Sequence, residues 1–399
     1  MSSTGGDPSF LRRLNSSATL KALHDETFTA PDGHGAGLSV TQLAEAIGVS
    51  RPTAEEAVDA LHTAGWVDVL APVSLDRRSA GRPARRFRFR ENAGYVVGVD
   101  VEATAVAVAV ADLAGTVVGR IRRDAPPLLP ADARLALIRD SIGAVLRTAR
   151  VAKKKVLGGA AGSTGIVDPD GRIVRNSLPG WEGIHLADEL SRMIGAPASA
   201  YNHLRLGALG ERWRGAAQHA DHVVHLHAGQ RMGLGIVVAG RPLVGAHGAG
   251  GEFDLRVGRG WLDAYLVLLE HPLGVTLTEF SAGVGGDLGD ARPIFSAAAT
   301  GDESARDAVA SFTTTAAELV APIISAFDPE VVVIAGDLAL AGDVALEPVR
   351  KVLELSGVIP PEVRVSTLGE ESISLGAIRS ALDEVEERLF EPPFPLVSV

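Results

Sequence analysis

The pattern of apolar and polar positions changes character near residue 95. Over residues 95–119 two apolar runs rich in Val and Ala are joined by a short turn containing Glu102, Ala103 and Thr104. A second turn follows at Asp112 to Gly115. Small and β-branched runs bounded by turn residues predict buried strands, here a β-meander that opens a large α/β domain. Before it the periodicity is helical. Leu14, Ala18, Ala22 and Leu23 predict a helix over residues 15–25, and Gly, Pro and Asp predict a loop over 28–37. Ser39 with Gln42 has the form of a capping box, opening a helix with Leu43, Ala46 and Ile47 inward. After the turn at Gly48, Ser50 caps a second helix over 50–64, with Pro52 in its first turn and Ala54, Ala57, Val58 and Leu61 inward. Gly65 ends it. Residues 66–70 and 87–90 read as two strands.

Beyond the meander, apolar strand-like runs alternate with helical ones. Helices are expected over 131–150, 261–270, 278–282 and 304–326, and from Leu375 onward. Strands are expected over 156–165, 221–227, 328–337 and 363–368, with a hairpin at Asp168 to Gly171. This alternation defines the α/β class.

At 399 residues the chain has room for two or three domains. Cysteine is absent, which excludes disulfides and cysteine-ligated metals. No apolar run stands out as a membrane span and the N-terminus is polar, so a cytoplasmic protein with no membrane partner is expected. His225 and His227 share one face of a strand, but two ligands without a third read as strand histidines rather than a metal site. No metal and no cofactor is expected.

Charge is uneven. The net charge is −11, yet residues 77–90 hold seven arginines and no acid. A local basic stripe on an acidic chain is an electrostatic footprint for phosphate. Helix, helix, turn, helix and two strands around a basic loop make a winged helix-turn-helix, whose second helix of the turn enters the major groove. Ser50, Arg51, Thr53 and Glu56 lie on the open face near the start of that helix, within reach of base edges. Arg77, Arg78, Arg82, Arg85 and Arg86 would follow phosphates or the minor groove. Glu55, Glu56 and Asp59 weaken phosphate attraction on the same helix.

Several motifs resemble the ROK family of repressors and sugar kinases. They are the helix start Ser50-Arg51-Pro52-Thr53, the wing segment Gly81-Arg82-Pro83, the segment from Val167 through Asn176 to Gly183, and Gly251-Glu252. The resemblance implies a winged helix-turn-helix followed by a two-lobed, actin-like (ribonuclease H-like) sugar-kinase fold. It also places differences where kinase chemistry would sit. The first phosphate hairpin of the family's kinases carries two glycines, and here Glu102 and Ala103 stand in their place beside Asp100 and Thr104. A carboxylate facing a triphosphate is repulsive. The kinases' catalytic Asp is replaced by His203, next to the retained Asn202. Asp337 stands where a second glycine would approach adenosine. Glu252 is retained, while Leu255 replaces a sugar- and zinc-binding His.

The resemblance implies no catalytic residue, and candidate effector-binding residues Asn176, Asn202, His203 and Glu252. The implied organisation is a disordered tail over 1–14, a DNA-binding domain over 15–92, a first lobe over 93–202 and 372–392, and a second lobe over 203–371. The implied partners are a double-stranded DNA operator, a second copy of the chain as homodimer or homotetramer, and a sugar or other small-molecule effector. Two alternatives remain at this point: a working ATP-dependent sugar kinase, and a regulator or scaffold that binds no effector.

Overall fold

The helical periodicity ahead of residue 95 folds as three helices against a small sheet. In this computed structural model residues 8–29, 35–70, 85–252, 255–276, 289–356 and 359–390 are described. Helix α1 (Pro8–Thr29) starts at Pro8 rather than Asn15, so residues 8–14 of the expected tail are helical. Its buried face carries Ser16, Leu20, Leu23 and Thr27, whereas Leu14, Ala18 and Ala22 are only half-buried. Small hydroxyl residues can line a helix interface because they return a hydrogen bond to their own backbone, as Thr27 does by donating to the Leu23 carbonyl at 2.9 Å. Apolar periodicity alone therefore misassigned that face.

A short strand β1 (Leu38–Ser39) leads into α2 (Val40–Ile47). The capping box is formed: Ser39 Oγ accepts from the Gln42 amide at 3.3 Å and Gln42 Oε1 from the Ser39 amide at 3.0 Å. Leu43 and Ala44 point inward, while Ala46 is exposed, because at 100° per residue position 46 falls off the arc that Leu43, Ala44 and Ile47 share. Helix α3 (Arg51–Ala64) buries Ala54, Ala57, Val58 and Leu61 as expected and ends on left-handed Gly65. Strands β2 (Val67–Leu70) and β3 (Arg86–Phe89) pair antiparallel, and β1 adds to the far side of β3. A two-residue strand has no period, so β1 was not readable in advance.

The meander forms β4 (Tyr95–Val101), β5 (Ala105–Asp112) and β6 (Val117–Asp124). Helix α4 (Ala131–Thr148), strand β7 (Val156–Ser163), the hairpin β8 (Ile166–Val167) and β9 (Ile173–Arg175), helix α5 (Leu186–Ile194) and strand β10 (Ala198–Asn202) follow. The first large sheet has the order β10-β7-β4-β5-β6, with β7 parallel to both β4 and β10. Helices α4 and α5 cover one face with Ile138, Ile142, Leu190 and Ile194.

Helix α6 (His203–Arg214) then crosses to the second sheet, built from β11 (Val223–His227), β12 (Gly233–Val238) and β13 (Arg241–Pro242). Helix α7 (Leu255–Leu269), the pair β14 (Val275–Thr276) and β15 (Gly289–Asp290), helices α8 (Arg292–Thr300) and α9 (Glu303–Phe327), strand β16 (Val331–Ala335), helix α10 (Leu346–Leu355) and strand β17 (Glu362–Val365) complete this lobe. The sheet order is β13-β12-β11-β16-β17, and α7 to α10 bury Tyr265, Phe295, Phe312 and Val349 against it. The helix expected over 278–282 lies outside the described residues. Contrary to expectation, one helix, α9, is long and apolar enough to cross a bilayer by length and composition. Its apolar stripe, from Ala305 through Phe312 to Ile324, is buried in the core of this lobe.

The last helix, α11 (Ser372–Phe390), returns to the first lobe. It lies so close to α6 that a methyl group at Gly376 would overlap the Leu206 carbonyl, and one at Gly210 the Ser372 carbonyl. Its far end touches the N-terminal head. Leu389 O accepts from Ser17 Oγ at 3.4 Å, and the Phe390 ring lies 4.8 Å from that of His24. One continuous apolar core joins Leu20, Leu23, Phe87 and Phe89 of the head to Ala377, Leu382 and Leu389 of α11.

Candidate nucleic-acid interface and interlobe site

At the start of α3 the Ser50 and Thr53 hydroxyls lie 2.8 Å apart, and Ser50 Oγ accepts from the Thr53 amide at 3.4 Å. Both are therefore engaged in capping. Arg51 is exposed in the first turn. Glu56 is also exposed, and Arg12 of α1 sits 3.2 Å from its carboxylate. Arg85 approaches Asp59 at 3.4 Å and lies over the Phe87 ring at 5.0 Å. Arg86 is differently employed: it donates to the Ala36 carbonyl at 2.9 Å and to Gly37 at 2.7 Å, tying the chain ahead of α2 to β3. Arg77, Arg78, Arg82 and the whole Gly81-Arg82-Pro83 segment lie outside the described residues.

The second candidate site lies where the two lobes meet. Asn202, at the end of β10, caps α6 by accepting from the Leu204 amide at 2.8 Å. Its amide nitrogen donates to the Gly165 carbonyl and to Glu252 Oε1, both at 2.9 Å. Asn202 and Glu252, fifty positions apart in sequence, are thus brought into contact. Burial pushes the Glu252 carboxyl up, while nearby Arg205 opposes the shift. Asn176 is saturated locally: it donates to Thr164 Oγ1 at 3.2 Å and to the Thr164 carbonyl, and accepts from the Leu178 amide at 2.8 Å. Trp181 anchors this loop through Ser163 at 2.9 Å.

His203 opens α6 and faces β11. Its ring lies 6.4 Å from that of His227, and His225 packs beneath Gly207. Burial, with like charge from neighbouring histidines, lowers His203 and His225 to about 3. Neutral imidazole is the form that persists there. Among the described residues no group of three or more His, Asp or Glu is placed to hold a metal.

The hairpin between β4 and β5 is held from within the protein. Glu102 takes a bidentate pair from Arg122, at 2.6 and 3.0 Å. The fully buried Arg134 donates to the carbonyls of Glu102 at 2.7 Å, Ala103 at 3.2 Å and Pro126 at 3.1 Å. Asp100 is fully buried. Burial first, then the neighbouring Glu102 charge, raises its carboxyl well above the ordinary value. Arg134 and Arg205 were not singled out in advance. The signal available was a lone arginine on an inward stripe, since Arg134 shares its helix face with Ile138, Ser141 and Ile142. Arg205 is buried too, donating to the Gly248 carbonyl at 2.5 Å and Gly250 at 3.2 Å, so it holds the loop that presents Glu252.

A three-helix, three-stranded head on a two-lobed body with paired five-stranded sheets defines a winged helix-turn-helix protein built on the actin-like sugar-kinase fold. The ROK family model matches residues 96–254 and 279–381, and the chain belongs to the ROK family. It is 30% identical to a glucokinase of Thermotoga maritima, over 71% of this chain and 95% of that one. It is 21% identical to a xylose repressor of Caldicellulosiruptor bescii, over 95% of this chain and 98% of that one. Among solved structures it superposes on a ROK family transcriptional regulator described as a homolog of the E. coli MLC protein, with TM-score 0.67, 18% identity, and 96% and 97% of the two chains covered. A ROK family glucokinase from Streptomyces griseus, solved with glucose and AMPPNP, gives TM-score 0.56 at 24% identity over 73% of this chain and 100% of the other. At these identities the two solved structures establish the fold.

Proposed function

We propose that this chain is a DNA-binding transcriptional repressor of the ROK family, cytoplasmic, whose kinase-like body does not transfer phosphate. The observation that carries this reading is the extent of the match. The xylose repressor aligns over 95% of the chain, the reading head included, whereas the glucokinase aligns over 71%. The hairpin supports it as well. Glu102 and its Arg122 and Arg134 clamps occupy the turn that would need bare backbone to cradle phosphates. The head over 15–92 reads DNA through Arg51 and the wing, and the lobes over 93–202 with 372–392 and over 203–371 supply pairing into a homodimer or homotetramer. Half-sites on a palindromic operator call for such pairing. Asn202, His203 and Glu252 at the interlobe site take a sugar or related metabolite, with Asn176 holding the adjoining loop.

The test is titration of labelled DNA from the gene's own upstream region, at two salt concentrations, against scrambled DNA. The variant Arg51→Ala, Arg82→Ala, Arg85→Ala is run beside it. The expected result is sequence-preferring, salt-sensitive binding that the variant weakens by tenfold or more, roughly 1–3 kcal/mol for each base-reading arginine removed. Equal binding to operator and scrambled DNA under all conditions would overturn the reading.

A further inference from the structure

The body is acidic, yet its cations are not evenly spread. The chain has five lysines, and three of them are consecutive: Lys153, Lys154 and Lys155. With Arg147 and Arg150 they place five cations and no acid within residues 147–155. Arg147, Arg150, Lys153 and Lys154 are exposed and Lys155 is half-buried. Among the described residues none of the five has an ion-pair partner, although paired arginines are common elsewhere on the surface, as in Arg192 with Glu189 at 3.0 Å and Arg212 with Asp221 at 2.6 Å. Complementing the negative end of a helix needs only one or two cations in its last turn, and Arg147 already serves α4. The lysine turn is additional to that.

Its position is informative. Lys155 leads directly into β7, whose first residue, Val156, pairs with Tyr95, the first residue of the body after the head. A methyl at Gly94 would meet the Leu157 side chain. The Leu157 carbonyl accepts from Arg388 at 2.9 Å, one residue before Leu389 and its contact with α1 of the head. The turn therefore sits at the end of the first lobe from which the DNA-reading head emerges, well apart in sequence from both the wing and the interlobe site.

We infer that Lys153, Lys154 and Lys155, flanked by Arg147 and Arg150, form a second DNA contact that grips backbone phosphates flanking the sequence read by the head. Unpaired, exposed lysines on flexible stems suit point-charge attraction to phosphate and carry no base readout. They also offset the repulsion that an otherwise acidic body would exert on the duplex. This inference rests on the regulator reading above.

The experiment compares the full chain with Lys153→Gln, Lys154→Gln, Lys155→Gln, and with the triple Lys-to-Arg variant. Each is titrated on an operator duplex trimmed to the recognised sequence and on one extended by about one helical turn on each side. On the extended duplex the Gln variant is expected to bind more weakly, and its plot of log K against log salt to be shallower by about 2.7 per protomer, about 5.4 for a bound dimer, roughly 0.9 for each phosphate that a lysine no longer neutralises. On the trimmed duplex the two proteins should agree, and the Arg variant should match the parent on both. Equal affinity and equal slope on the extended duplex would overturn the inference while leaving the regulator reading intact. Failure of the parent protein to prefer any DNA would overturn both.

Discussion

At the residue scale, Asp100 is a buried carboxyl at the end of β4. It is enclosed, and Glu102 beside it adds like charge and a partner for its proton, so the folded protein holds that proton more tightly than the unfolded chain does. An acid raised in this way favours folding at low pH and costs stability as pH rises above the ordinary value of 3.8. Replacing it by Asn removes that ionisation. The melting temperature of Asp100→Asn minus that of the parent should therefore grow as pH is raised from 4 towards 8, within the window above that ordinary value. A gap that stays flat across the range would mean the carboxyl finds a compensating partner. His203 and His225 act with the opposite sense. As bases lowered from 6.5 to about 3, they are stabilising while neutral, and that contribution is lost as pH falls below 6.5. The resemblance of the motif around Asn202 made His203 legible as a site candidate. Its approach to the β11 histidines was not legible, because β11 and α6 meet only in three dimensions.

Among elements, the crossing of α6 and α11 is the tightest feature. Residues 204 to 211 of α6 are all buried, which no single amphipathic stripe produces: the helix lies between both sheets and against α11. Gly376 is required where α11 meets the Leu206 carbonyl, since backbone cannot move aside as a side chain can. Gly376→Ala should cost about 1–3 kcal/mol by overpacking. Urea denaturation would register this as a lower midpoint with an unchanged slope. An unshifted midpoint would show that the two helices can separate freely. The capping box at Ser39, the Ser50 cap and the four inward residues of α3 could all be read beforehand, because each depends on neighbours within a turn or two. The face of α1 could not, since Ser16, Ser17, Thr19 and Thr27 are buried by what packs on them and not by their own polarity.

For the molecule as a whole, the question is whether the kinase-like body retains any chemistry. Its family includes both repressors and glucokinases, and the 30% identity to a glucokinase makes the enzyme the specific rival. On the proposed reading an ATP-coupled assay with glucose should detect no turnover: the resemblance puts Glu102 and Asp337 at positions that the kinases use for phosphates and adenosine, and His203 at that of the general base. Turnover abolished by His203→Ala would reinstate the enzyme. In parallel, a sugar that binds the interlobe site must raise the melting temperature by mass action. The signal should vanish in Glu252→Gln, which removes the carboxylate that Asn202 now holds.

Much of the plan was present in local sequence. The meander, the alternation of strands and helices and the caps of the head arise from periodicity, turn chemistry and short-range hydrogen bonds, which neighbouring residues determine among themselves. Tertiary structure alone decided the rest. It joined Asn202 to Glu252, set Arg134 and Arg122 on the hairpin, committed Arg86 to a loop rather than to open solvent, and set the lysine turn next to the start of β4. These pairings link residues tens of positions apart. Burial and partnership at such distances depend on how the sheets and helices stack, a property no stretch of sequence carries on its own.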